Sequence, residues 1–180
     1  MGSRRPLSPL DEAKLDELAL RYVGRFSTTR AKLRAYLERK IRERGWAGQR
    51  AAGPEAIADR FAELGYVDDA GFALAKSRAL TGRGYGKRRV VEALRVAGID
   101  EPDGEAARDH ADAEAIDAAL RFAERRRIGP FASAAPRDPK DREKALAAMV
   151  RAGHGFGLAR AIVSLAPGSR INREELAEQV

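Results

Sequence analysis

GYVDDAGFALAKSRALTGRGYGKRRVVEALRVAGI, residues 65–99, is the stretch from which the rest of the chain is read. It predicts two helices joined by a turn rich in glycine and arginine. Asp68 or Asp69 can cap the first helix by accepting bonds from its free N–H groups. Phe72, Ala75 and Ala79 then fall on one face. Gly82, Gly84 and Gly86 stop that helix, because glycine tolerates the backbone angles a stop requires. Val90, Leu94 and Ala97 make the buried stripe of the second helix, and Gly98 ends it. Arg83, Lys87, Arg88 and Arg89 crowd the turn and the second helix start. The helix dipole disfavours cations there, so capping does not explain them and an anionic partner would.

Working outward, 180 residues suffice for one or two domains with a real core. Aromatics are only 6%, alanine is plentiful and β-branched runs are absent, which points to helices. Without cysteine, disulfides, zinc–thiolate sites and thiol catalysis are excluded. No apolar run approaches the roughly 20 residues of a membrane span. The opening MGSRRPLSPL lacks the apolar run of a signal peptide, so the expectation is a cytoplasmic protein.

Charge is uneven. Residues 21–100 hold 18 Lys+Arg against 9 Asp+Glu, whereas residues 101–120 hold one arginine against seven acids. A chain with a sequence pI near 10.0 and a basic middle is expected to meet a polyanion or an acidic protein surface. The bland explanation is a set of solvated helix faces.

In chain order, residues 1–9 are proline-broken and expected to be disordered. Leu10 to Phe26, Thr29 to Arg44 and Glu55 to Leu64 each show a helical apolar face. Ser27 or Thr28 can cap the second, and Pro54 suits the first position of the third. The pattern then recurs loosely. LDELALRYVGRFS is similar to GFALAKSRALTGRGY and DAALRFAERRRIGPF; TRAKLRAYLERKIRERG is similar to GKRRVVEALRVAGI and REKALAAMVRAGHG. The expected fold is all-α, with three tandem three-helix repeats forming an elongated, curved body. The repeats span 10–66, 67–114 and 115–168, with a proline-containing loop at 132–141. In the tail, 169–180, the stretch from Asn172 to Val180 can form a short capped helix or fray.

Catalytic and cofactor motifs are weak. Gly82 and Gly84 begin a GxGxxG, but Lys87 holds the third glycine's place and no strand precedes it. Gly86-Lys87 lacks the Ser or Thr of a phosphate loop. His110 and His154 lie in different repeats without spaced metal partners, so each is read as a surface histidine. Asp109, Asp112 and Asp117 fail calcium-loop spacing and read as a linker or exposed helix face. No enzyme activity, metal or cofactor is expected.

Three basic clusters remain: Arg39, Lys40, Arg42 and Arg44; Arg83, Lys87, Arg88 and Arg89; Arg125, Arg126 and Arg127. They sit at analogous places in the repeats. A helix C-terminus accounts for the first and third clusters, and not for the second. Tyr85 and Trp46 are the candidate exposed aromatics, so base stacking is weakly signalled.

These residues carry a family resemblance. RYVGRFSTTRAKLRAYL resembles the Tyr-Leu-x-Arg then Ser-x-x-Glu-Leu opening of the RecX family, bacterial regulators of the RecA recombinase. LGYVDDAGFALAKSR resembles its Gly-Tyr-Leu-Asp-Asp-x-x-Phe-Ala element with the following arginine. Gly86 to Ile99 resembles its G-x-x-x-V-x-x-x-L-x-x-x-G-I. The likeness is clear over residues 15–100 and thin afterwards. Val23 replaces the usual leucine, and Lys32 replaces the acid of Ser-x-x-Glu. The resemblance implies a non-enzymatic, all-helical modulator that binds within the groove of the RecA–DNA filament and restrains strand exchange, ATP hydrolysis and repressor cleavage. Its partners would be the RecA filament and single-stranded or filament-bound DNA, with the chain acting as a monomer and no membrane involved. The plainer alternative is a non-specific DNA-binding helical module. Carried over by position, Arg25, Arg78, Lys87 and Arg88 are contact candidates, with Gly84 and Gly86 as turn residues and Phe72 and Leu94 as packing residues. Charge and repeat position add Arg83, Arg125, Arg126 and Arg127.

Overall fold

Helix signals in the sequence are realised through the described residues. The computed structural model describes residues 8–136 and 138–180. Most of the N-terminal segment expected to be disordered, residues 1–7, lies outside the described residues. Among the described residues there are ten α-helices, one 3₁₀ turn at Gly129–Phe131 and no β-strand. The helices are α1 (Glu12–Val23), α2 (Arg30–Arg44), α3 (Pro54–Glu63), α4 (Asp69–Gly82), α5 (Lys87–Ala97), α6 (Glu101–Ala113), α7 (Ala115–Arg126), α8 (Pro139–Arg151), α9 (Phe156–Ser164) and α10 (Arg173–Ala177). None is long and apolar enough to cross a membrane.

The chain divides into two compact units. The first runs to Phe72 and includes Ala97–Ile99. Asp11 starts α1 by accepting from the Lys14 amide at 2.9 Å. Leu10, Leu15, Ala19, Leu33, Leu37, Ala58, Phe61 and Val67 form one core. Leu10 reaches it from outside the helices. Its amide donates to the Gly45 carbonyl, and its carbonyl accepts from Ala47, pinning the strand-like entry to the end of α2.

The α2 cap corrects the sequence expectation. Thr29, not Ser27 or Thr28, stands at the N-cap and accepts from the Lys32 amide at 3.2 Å. Its hydroxyl proton goes to the Ala97 carbonyl at 2.7 Å. One side chain therefore satisfies a free donor at a helix start and a free acceptor at a helix end, which is why Thr29 is fully buried. Asp68 and Asp69, read as alternative caps, divide the work. Asp68 accepts from the Gly71 amide at 2.8 Å and caps α4. Asp69 is buried and accepts from the backbone and side chain of Arg30.

The second unit holds Ala73–Val96 and Asp100–Val180. Ala119, Phe122 and Ala123 of α7, Met149 of α8, and Leu158, Ala159 and Ile162 of α9 make its core, closed by Leu176 of α10. Asn172 caps α10 as expected, accepting from the Glu174 amide at 3.1 Å. On α5, Val90, Leu94 and Ala97 are buried, as the spacing predicts.

On α4 the expected face is wrong. Ala75 and Ala79 are exposed and Phe72 only half-buried, whereas Ala73, Ser77 and Thr81 are buried. The two hydroxyls tolerate burial because both are hydrogen-bonded. Ser77 donates to the Ala107 carbonyl at 2.8 Å, and Thr81 donates back to the Ser77 carbonyl at 3.0 Å. The acidic 101–113 stretch is a helix face rather than a linker. Asp100 caps α6, and Gly104, Ala107 and Ala111 are its buried side.

Candidate functional site

Residues 83–86, between α4 and α5, and the first residues of α5 separate two concavities of the second unit. Gly84 and Gly86 explain how the turn sits so close to its neighbours. Gly84 has φ +77°, and a Cβ there would stand 2.9 Å from the Phe122 amide nitrogen. A Cβ on Gly86 would stand 2.4 Å from the Gly153 carbonyl carbon and oxygen. The amides of Gly86 and Arg88 donate to the Ala152 and Gly153 carbonyls at 2.9 and 3.1 Å.

That last contact revises the electrostatics of the turn. The carbonyl-rich end of α8 meets the amide-rich start of α5, so the local field at Lys87–Arg89 is not that of a bare helix N-terminus. Lys87 is also paired, its ammonium 2.6 Å from an Asp112 carboxylate oxygen. Both side chains are about half exposed, so the pair contributes little to stability. It does lower the free charge that Lys87 offers a partner. Arg88 and Arg89 are exposed.

The first concavity, about 460 Å³, is lined by Arg83, Tyr85, Phe122, Arg125, Arg126, Ala148, Arg151 and Ala152. Phe122, Arg125 and Arg126 lie at i, i+3 and i+4 on α7, so they share one face. The Arg125 and Arg126 guanidinium carbons stand 5.6 and 5.9 Å from the buried Phe122 ring centre, within cation–π range. Arg125 also donates to the Arg83 carbonyl. Among the described residues, no carboxylate pairs with Arg83, Arg125, Arg126 or Arg151 within 4.0 Å. Three sequence candidates, Arg83, Arg125 and Arg126, therefore meet at one place.

Arg151 was missed. It is a single cation at the end of α8, and only packing brings it to the others. The remaining candidates are elsewhere. Arg127 is exposed at the α7 C-cap with φ 54° and does not line the pocket. Arg78 is exposed on α4, and Arg25 is exposed after α1 in the first unit. Tyr85 and Trp46 are half-buried rather than exposed, and the Trp46 indole donates to the Arg50 carbonyl at 2.8 Å. Exposed rings are instead Phe26, Tyr66 and Phe156.

The second concavity, about 310 Å³, is lined in part by Gly86, Lys87, Arg88 and His154. His154 corrects the surface expectation: it is 2% exposed, with Nε2 3.1 Å from the Gly84 carbonyl oxygen. Facing a carbonyl, neutral imidazole must carry its proton on Nε2 and donate it. Burial pushes the imidazole pKa below its ordinary 6.5, and the Gly84 bond opposes this only in part. The folded state therefore holds less of this proton than the unfolded chain, and stability falls as pH drops below about 6.5. Urea unfolding at pH 7.5 and 5.5 is expected to show that loss, and His154→Gln is expected to shrink the difference between the two pH values.

No group of three or more His, Asp or Glu among the described residues is placed to hold a metal ion. What the site offers is cationic and planar: guanidinium forks around aromatic surface, suited to oxyanions.

No protein-family model matches the chain. Regulatory protein RecX of Myxococcus xanthus is 29% identical over 175 residues, covering 92% of each chain. Regulatory proteins RecX of Thermobifida fusca and Mycobacteroides abscessus are each 38% identical, over 112 and 102 residues, or 58% and 48% of their own lengths. The crystal structure of RecX from Lactobacillus salivarius superposes with a TM-score of 0.60, covering 84% of this chain and 93% of that one. At 16% identity that likeness speaks for the all-helical fold alone.

Proposed function

We propose that the chain is a member of the RecX family of regulatory proteins and that it regulates the RecA recombinase by binding the RecA–DNA filament. In this reading it restrains ATP hydrolysis, strand exchange and repressor cleavage, in the cytoplasm and as a monomer. It does so without chemistry of its own. The helices are read as three repeats, α1–α3, α4–α6 and α7–α9, that present cations to the filament. The contact set is Arg25, Arg78, Arg83, Lys87, Arg88, Arg125, Arg126 and Arg127, with Arg151 added from the pocket.

One observation carries the proposal beyond the family name. Arg83, Arg125, Arg126 and Arg151 line one concavity and lack carboxylate partners within 4.0 Å among the described residues. Guanidiniums left unpaired are available to an anionic partner, and each charge-assisted bond to it contributes about 1.5–3 kcal/mol. Lys87 is the weakest member of the set, because Asp112 already holds it.

The test is RecA-dependent ATP hydrolysis on single-stranded DNA with this protein titrated in, and binding to naked DNA measured in parallel at two salt concentrations. Suppression at fewer copies than RecA protomers is the expected result. Suppression only at concentrations that coat the free DNA favours the plain DNA-binding module, whose affinity falls steeply with salt. No suppression at any ratio overturns the proposal.

A further inference from the structure

We infer that the pocket framed by Arg83, Arg125, Arg126 and Arg151 is a phosphate-chain site, taking consecutive phosphates of a single strand or of a nucleoside triphosphate. The inference rests on the reading that these arginines meet an anionic partner, and names the ligand chemistry they take. Four arginines from three separate elements (the turn, α7 and the end of α8) line one cavity. A carboxylate has two oxygens in one plane and is satisfied by one or two forks. Tetrahedral phosphates present oxygens in several directions and carry more charge, so they use donors arriving from different sides. The cavity, about 460 Å³, lies in the size range of small-molecule sites.

The pocket is also built rather than incidental. Arg125 is held by the Arg83 carbonyl, and both Arg125 and Arg126 rest on Phe122, which is 4% exposed. Those contacts restrict two long side chains before any ligand arrives, which lowers the ordering cost of binding. The Phe122 ring is covered by its own arginines and Tyr85, the other ring in the lining, is half-buried, so recognition falls chiefly on the phosphates.

The probe is a fluorescein-labelled oligo-dT bound to the full chain, followed by anisotropy, with tripolyphosphate, ATP and poly-glutamate as competitors. No recombinase is present, so failure here and failure of the RecA assay are separate results. The wild type is expected to bind one or both phosphate sources. Arg126→Gln/Arg151→Gln is expected to weaken that binding about tenfold or more and to flatten the log–log salt slope by about one to two. Arg142→Gln/Arg160→Gln removes the same charge outside the pocket, on exposed positions of α8 and α9, and is expected to change affinity less than about twofold. Arg126→Lys/Arg151→Lys keeps charge while losing the planar forks, and is expected to weaken binding as well. Displacement by ATP and tripolyphosphate assigns the free triphosphate as a ligand; strand binding that they do not displace assigns the strand. The inference is overturned if no phosphate source binds, if the two glutamine variants lose affinity equally, or if poly-glutamate competes as well as tripolyphosphate at equal charge.

Discussion

Gly86→Ala is expected to cost about 3 kcal/mol or more, a fall in melting temperature of roughly 6–12 °C for a chain of this size. The added methyl would meet Gly153 C and O at 2.4 Å and the His154 amide nitrogen at 2.6 Å. All three are backbone atoms, so no side chain can rotate away. Relief requires α5 to move off the turn between α8 and α9, breaking the Gly86-to-Ala152 and Arg88-to-Gly153 bonds. The same movement strains the His154 contact to Gly84. Gly82→Ala provides the contrast. Nothing lies within 4 Å of a Cβ there, and the residue closes α4. Alanine is the better helix former, so stability is expected to hold or rise by up to about 1 kcal/mol. Thermal melts of the two variants check the pair, and a Gly86→Ala protein melting within about 2 °C of wild type contradicts the close approach.

Asp69→Ala is expected to cost about 2–3 kcal/mol. The Asp69 carboxylate accepts from the Arg30 amide and from Arg30 Nε, both at 3.0 Å. Its side chain is only 5% exposed, so water is a poor substitute on that side. The Arg30 side chain is 37% exposed and can rehydrate, which keeps the cost below that of a fully buried pair. The amide is a different matter, because it belongs to the first turn of α2, where donors have no partner within the helix. Asp68→Ala removes an exposed cap and is expected to cost about 1 kcal/mol. Denaturant unfolding of both variants should rank Asp69 above Asp68; the reverse order contradicts the division of roles between these neighbours.

The helical content, the α5 stripe and the α10 cap were readable because they depend on local spacing. Val90, Leu94 and Ala97 repeat at helical intervals and are all buried. The face of α4 was not readable in this way. Periodicity of apolar residues selects Phe72, Ala75 and Ala79, yet the buried stripe contains Ser77 and Thr81. Burying Ser77 is acceptable only because Ala107, thirty residues on, supplies an acceptor. Thr29 hides in the same manner behind Ala97, sixty-eight residues away. The site divides along the same line. Phe122, Arg125 and Arg126 share a face by spacing alone, and Arg83 stands out in the glycine-rich turn, so three of the pocket's four cations were legible as candidates while their meeting was not. Arg151 joins them only through the placement of α8. His154 reads as an ordinary histidine until the turn at Gly84 is seen to cover it. The anomaly of cations at the α5 start was legible too, while its partial relief by the α8 carbonyls and Asp112 was not.

The most direct test of regulation through the basic turn is RecA-dependent ATP hydrolysis on single-stranded DNA, comparing the wild-type chain with Arg83→Glu/Arg88→Glu. Neither arginine has a carboxylate partner within 4.0 Å among the described residues, so the variant is expected to melt with the wild type. Losing two charge-assisted contacts is expected to raise the concentration needed for half-suppression about tenfold or more. A folded variant that suppresses hydrolysis at the wild-type concentration would contradict the account.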